Sequence, residues 1–198
     1  MKKALVPIIV LVVVIAGIFM YSVGIKNDIV ALSQTEQKQW ADVQAAYQRR
    51  NDLIGNLVKT VQGAADFEKG TLEAVVKARA EATKVTIDPS NMTPEQLENF
   101  NQVQSNVASS LSKLLVVSEN YPELKTNTNF LKLQDELAST ENTIQTQRVR
   151  FNSAIMDYNG YILKFPNSVF AGMYGYKEKP YFNAVQGADK PVEVEFNF

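Results

Sequence analysis

Three charged residues stand in or beside the apolar repeats of this chain, and they are its strongest candidates for a polar site. Arg50 lies seven residues after Val43 and seven before Leu57, while Glu141 and Arg148 are seven apart in a later stretch. If the first and last helices pack together, these charges meet, and removing one partner from a buried pair costs about 3–5 kcal/mol. We expect Arg50, Glu141 and Arg148 to form a buried ionic network that fixes the helix register. The alternatives are a ligand or ion site and a catalytic carboxylate.

The side chains that most enzymes use for catalysis are missing. The chain has no His and no Cys, which excludes disulfides, thiolate nucleophiles, the usual zinc sites and triads with an imidazole base. The two-metal pattern of helical bundles needs Glu-x-x-His pairs, and the sequence has neither a phosphate-binding glycine loop nor an EF-hand loop. We therefore expect no catalytic, cofactor-binding or metal-binding residues, and we expect the protein not to be an enzyme.

The charge of the chain is almost balanced. It has 20 Lys and Arg against 21 Asp and Glu, a net charge of -1. Because nucleic-acid binding relies on a basic patch or stripe, we expect no nucleic-acid partner.

Residues 4–25 form an uncharged apolar run. As a helix the run would be about 33 Å long, enough to cross a hydrocarbon core of about 30 Å. It predicts a transmembrane helix after a short flank at residues 1–3. The alternative is a cleaved signal peptide, because the small residues at 22–24 resemble a cleavage site. The apolar part of a signal peptide is shorter, at about 7–15 residues.

The lysines flanking this run indicate its orientation. Lys2, Lys3 and the amino terminus precede it, whereas Lys26 and Lys38 follow it. Because the more basic flank stays in the cytoplasm, the count places the N-terminus inside and the rest of the chain outside, by a margin of one charge.

Residues 26–165 favour helix almost throughout, with apolar side chains every three or four positions. Such apolar stripes must be covered by other helices. The repeat of the first helix comprises Trp40, Tyr47, Ile54 and Val61, and the repeat of the last comprises Phe130, Leu137, Ile144, Phe151, Tyr158 and Phe165.

Turn residues divide this region into four helices. Residues 88–91 form a loop, Thr93 caps the third helix, and the prolines at 122 and 166 end the third and fourth. Residues 63–66 separate the first two helices or kink a continuous one. The prediction is an all-α fold, in which the transmembrane helix precedes a long up-and-down antiparallel four-helix bundle with an irregular C-terminal segment.

The composition changes after Pro166. We expect residues 166–184, too irregular for a helix, to pack on the bundle as a cover. The alternative is an exposed surface that docks a partner or the lipid interface. Residues 185–198 are expected to be disordered, although 192–198 alternate like an edge strand that could join a partner's sheet. The candidate partner surface comprises Phe170, Met173, Tyr174, Tyr176, Tyr181 and Phe182.

Several segments, in order, resemble the LemA family. The resemblance covers almost all of residues 1–184, and its most specific part is the sequence YQRRNDLIGNLV at 47–58. Trp40 precedes this part, and further matching segments lie at 75–79, 121–124, 129–137, 140–144 and 175–183. The chain departs from the family pattern at Gly55, where Pro is usual, and at Ala64 and Phe67, where Tyr and His are common.

The resemblance implies a single-pass protein of the bacterial inner membrane with a long four-helix bundle and no established enzymatic activity. We expect it to act by protein binding or scaffolding at the cell envelope, with the bundle on the periplasmic side and with a protein partner of unknown identity. One alternative is a bundle that senses a ligand and transmits a signal. However, a transmitter needs structure on both sides of the membrane, and only residues 1–3 precede the span. A second alternative is an enzyme without His or Cys.

Overall fold

The computed structural model describes residues 2–63 and 67–183, and the side chains from residue 7 onwards. Within these residues every regular element is helical, which confirms the predicted all-α architecture. One turn of 3₁₀ helix lies at Pro89–Asn91. The α-helices are α1 at Lys2–Gln62, α2 at Lys69–Ala82, α3 at Pro94–Ser118, α4 at Pro122–Lys125, α5 at Thr128–Leu163 and α6 at Asn167–Met173.

Helix α1 is continuous from the apolar run into the bundle. At 61 residues it is about 92 Å long. Its apolar side chains are exposed as far as Tyr21, and from Ile25 onwards one face is buried. At residues 25 and 26, the predicted boundary between the transmembrane helix and the bundle, the exposure of the side chains changes but the helix continues without a break. By length and composition this helix could cross a membrane.

The four long helices α1, α2, α3 and α5 form two antiparallel pairs. Helix α5 packs along α1, and α2 packs on α3. The pairs join through a hydrophobic core at one end of the bundle, where Leu57 and Val61 meet Val75, Leu111 and Leu137. A second core surrounds Trp40, and a third lies beside Ile25 and Ile29.

Helix ends follow the turn chemistry of the sequence. Thr93 accepts a hydrogen bond from the Gln96 backbone N–H, and the Gln96 side chain accepts one from the Thr93 N–H, a capping box. This confirms the predicted start of α3. Helix α1 ends at Gln62 and α2 begins at Lys69. Residues 64–66, which were predicted to contribute to this break, lie outside the described residues.

The chain after Pro166 is more regular than expected. Its first residues form α6, which is capped by Tyr174 and followed by Gly175, a residue with φ of 78°. The N–H of Tyr176 donates to the Ala171 carbonyl, and that of Gly175 to the Gly172 carbonyl, a Schellman motif. The prediction that this segment is too irregular for a helix is wrong for residues 167–173, because the glycine closes a short helix. The predicted tail, 185–198, lies outside the described residues.

Candidate functional site

Arg50 is the centre of a polar cluster inside the bundle. Its side chain is only 2% exposed, and its guanidinium lies 5.0 Å from the centre of the Tyr47 ring. Nη1 donates to Oε1 of Glu141 on α5 at 2.9 Å. Nη2 donates to the Gln104 carbonyl at 3.3 Å and to Gln104 Oε1. One side chain of α1 is thus tied to both α3 and α5.

Arg148 does not complete the network in the predicted way. In the described part of the chain it forms no ion pair with Glu141. Instead, Nη2 donates to the Asn183 carbonyl at 3.1 Å, and the guanidinium lies 4.7 Å from the centre of the Phe182 ring. The reason is distance, because seven residues of helix separate the two side chains by about 10.5 Å along α5. Arg148 therefore contacts the C-terminal segment, and among the described residues Glu141 is the one carboxylate paired with Arg50.

Gln104 is a partner of Arg50 that the sequence analysis missed. It is buried, and it occupies a position in the apolar repeat of α3 between Phe100 and Val107. A polar side chain in such a repeat needs a hydrogen-bonding partner inside the bundle. Gln104 could have been identified in the same way as Arg50, from the position of a polar residue within an apolar repeat.

A groove of about 580 Å³ opens beside this cluster. It lies between α3 and α5, and Tyr47 and Arg50 of α1 line it together with Tyr181 of the C-terminal segment. Arg148 and Glu98 add a positive and a negative charge to its lining. Burial raises the pKa of the Tyr47 hydroxyl, while the charges of Arg148 and Arg50 act in the opposite direction.

A second buried ion pair also escaped the sequence analysis. Glu36 is fully buried, and Lys179 Nζ donates to its Oε2 at 2.5 Å and to the Pro89 carbonyl at 3.2 Å. Burial raises the pKa of Glu36, while the Lys179 ammonium acts in the opposite direction. Glu36 lies seven residues before Val43, in the same row as Arg50, and this spacing is the signal that could have identified it.

The six residues of the predicted partner surface do not share one environment. Met173, Tyr174 and Tyr181 are exposed, while Phe170 and Tyr176 are half-buried against α1 and α5. Phe182 does not fit the predicted surface, because its ring is buried against Trp40, Phe100 and Phe151.

The C-terminal segment is held to α5 by paired side-chain amides. Asn152 accepts a hydrogen bond from the Phe182 N–H at 2.9 Å and donates to the Phe182 carbonyl at 3.0 Å. Asn159 makes the same two contacts with the backbone of Lys179, each at 2.9 Å. These bonds satisfy backbone groups that the irregular chain leaves without partners of its own.

The chemistry available at the cluster is hydrogen bonding and charge pairing. Among residues 2–63 and 67–183, no three His, Cys, Asp or Glu side chains converge as metal ligands would. The guanidinium groups of Arg50 and Arg148 are suited to carboxylates and carbonyls, which they bind through several donors at once.

Several known proteins are similar to this chain in sequence. Magnetosome protein MamQ 2 of Paramagnetospirillum magneticum is 27% identical over 183 residues, which cover 84% of this chain and 67% of that protein. Magnetosome protein MamQ of Magnetospirillum gryphiswaldense is 24% identical with the same coverage. Protein LemA of Metamycoplasma hominis is 24% identical over 150 residues, which cover 75% of this chain and 65% of that protein.

The family assignment rests on a match to the pattern of a whole family. The LemA family pattern matches residues 39–196, which include most of the bundle, the Arg50 cluster and the C-terminal segment. Together with the long apolar start of α1, this match supports a membrane-associated protein of the LemA type. The chain belongs to the LemA family.

Proposed function

We propose that this protein is a single-pass anchor of the bacterial inner membrane that acts by protein binding or scaffolding rather than by catalysis. The observation that carries the proposal is the continuity of α1, which runs from the apolar run into the bundle without a break. About 56 Å of this helix follows residue 25. A helix of this kind joins the bundle to the apolar run without a flexible linker, which suits a scaffold.

The groove between α3 and α5 is the proposed contact surface for a protein partner. It offers the guanidinium group of Arg148 and two carboxylates, Glu98 and Glu141, while the buried Arg50 lies at its base. A balanced set of donors and acceptors suits a polypeptide surface, and Arg and Tyr are enriched at protein interfaces. Tyr181, exposed beside the groove, adds an aromatic side chain to this surface.

The orientation that goes with this proposal places the bundle on the periplasmic side, as the lysine count indicates. We expect the full chain to resist extraction from membranes at alkaline pH. Protease added to spheroplasts should digest the bundle, because that part of the chain would lie outside the cytoplasmic membrane. The measurement is an immunoblot against the bundle, with one cytoplasmic and one periplasmic marker protein as controls.

Two results would contradict the proposed topology. Release of the chain into the alkaline supernatant would show that α1 does not cross the membrane. A bundle that stays intact while the periplasmic marker is digested would place it on the cytoplasmic side.

A further inference from the structure

Helix α6 packs against α1 where the apolar run ends. The Tyr174 hydroxyl donates to Ser22 Oγ at 3.1 Å, and the Phe170 ring meets the Tyr21 ring edge-on at 6.0 Å. On the same side of α6, Ala171 is buried in the core that contains Ile25. This face of α6 is therefore occupied by protein.

The opposite side carries large apolar side chains that no described residue covers. Phe165, in the turn before α6, is 85% exposed, and Met173 at its end is 75% exposed. Val169 lies between them at spacings of four residues, which places it on the same side of the helix as Met173. Leu163, the last residue of α5, is exposed as well.

The position of this apolar face along α1 identifies what it meets. Tyr21 and Ser22 precede Ile25 by about 5–6 Å of helix, so α6 lies level with the last turn of the apolar run. If that run crosses the membrane, this level is the boundary between the acyl chains and the headgroups. Amphipathic helices bury their apolar faces about 5–10 Å deep at this boundary.

The polar groups around α6 fit the same surroundings. Lys26 Nζ lies 5.4 Å from the centre of the Tyr174 ring, and the exposed Lys164 stands between Leu163 and Phe165. Tyrosine rings and lysines with long apolar stems are typical of the membrane interface, where the ammonium group reaches the headgroups.

We propose that Leu163, Phe165, Val169 and Met173 form a second membrane contact, inserted in the interface of the leaflet that the C-terminal end of the span reaches. The inference rests on the proposed function, because it requires α1 to cross the membrane. A single spanning helix leaves the bundle free to tilt, whereas two contacts on different helices fix its inclination. The bundle and its groove would then face a partner at a defined angle to the membrane.

Spin labelling tests this contact directly, because the chain has no Cys and a single introduced cysteine takes the only label. The full chain would be placed in vesicles of phosphatidylethanolamine and phosphatidylglycerol, labelled in separate variants at Met173→Cys, Phe19→Cys and Val116→Cys. Phe19 lies in the apolar run, and Val116 is an exposed apolar residue near the opposite end of the bundle. The measurement is the collision rate of each label with oxygen, which enriches in lipid, and with a water-soluble nickel chelate.

We expect the Met173 label to collide mainly with oxygen, at a depth shallower than the Phe19 label, while the Val116 label collides mainly with the nickel chelate. A Met173 label as accessible to the chelate as Val116, with Phe19 in lipid, would overturn the second contact and leave the anchor standing. A Met173 label shielded from both reagents would also overturn it, in favour of a covering protein. A Phe19 label in water would overturn the anchor itself.

Discussion

Replacing Glu141 with Ala should destabilise the bundle by about 3–5 kcal/mol, one of the two largest effects that we expect from a single substitution. The reason is the difference in burial between the two partners. Arg50 is 2% exposed, so without Glu141 its charge stays inside the bundle, where Gln104 and the Tyr47 ring, both uncharged, remain as its partners among the described residues. The measurement is the free energy of unfolding of the full chain in mild detergent, from urea titrations followed by circular dichroism.

Replacing the other partner, Arg50, should lower the free energy of unfolding by less. Arg50→Met keeps most of the side-chain volume and leaves Glu141, which is 42% exposed and able to regain water. The double variant Arg50→Met/Glu141→Leu should recover much of the loss, because it removes the unpaired charge together with the pair. The matched control is Asp135→Ala, an exposed acidic residue of α5 whose loss should change stability by less than about 0.5 kcal/mol. A double-mutant coupling near zero would contradict a structural role for the pair.

The substitution Phe182→Ala should cost a similar amount, about 3–5 kcal/mol, because it removes a buried aromatic ring. The ring stacks on Trp40 with centroids 5.9 Å apart and lies 5.4 Å from the Phe151 ring. Trp40 is the only tryptophan of the chain. Its fluorescence should therefore shift to longer wavelength in the variant, as water gains access to the indole, while the urea midpoint falls.

The neighbouring residue supplies the control for this experiment. Tyr181 is exposed, so Tyr181→Ala should leave both the midpoint and the Trp40 emission close to those of the parent. If Phe182→Ala also matched the parent, residues 177–183 would not belong to the core. The C-terminal segment would then be free to bind a partner.

The periodicity of the sequence predicted the bundle because, in a long amphipathic helix, the local repeat of apolar residues determines which side chains are buried. The row Trp40, Tyr47, Ile54 and Val61 is buried as expected. Phe165 is the exception in the corresponding row of α5. Helix α5 ends at Leu163, and Pro166 disfavours helix for the residue before it, so the seven-residue register no longer places Phe165 towards the core. The spacing of apolar residues alone cannot show where a helix ends and its seven-residue repeat stops applying.

The polar site could be predicted only in part, for reasons of sequence separation. Arg50 and Glu141 stand in or beside apolar repeats, and the structure brings them together. Lys179 lies 143 residues from Glu36, in a segment without periodicity, so no local pattern connects the two. The contact between Arg148 and Asn183 could not be predicted either, because the path of the C-terminal segment depends on tertiary packing.

Photo-crosslinking from the groove is the most direct test of the proposal that this protein acts by binding another protein. A photoreactive amino acid would replace Gln145, which lines the groove from α5, or Ser139, which is exposed on the same helix outside it. If a protein partner binds in the groove, we expect a discrete crosslinked adduct in native membranes from position 145 and none from position 139. No adduct from position 145, or the same diffuse products from both positions, would contradict protein binding at this groove and leave it to a small ligand.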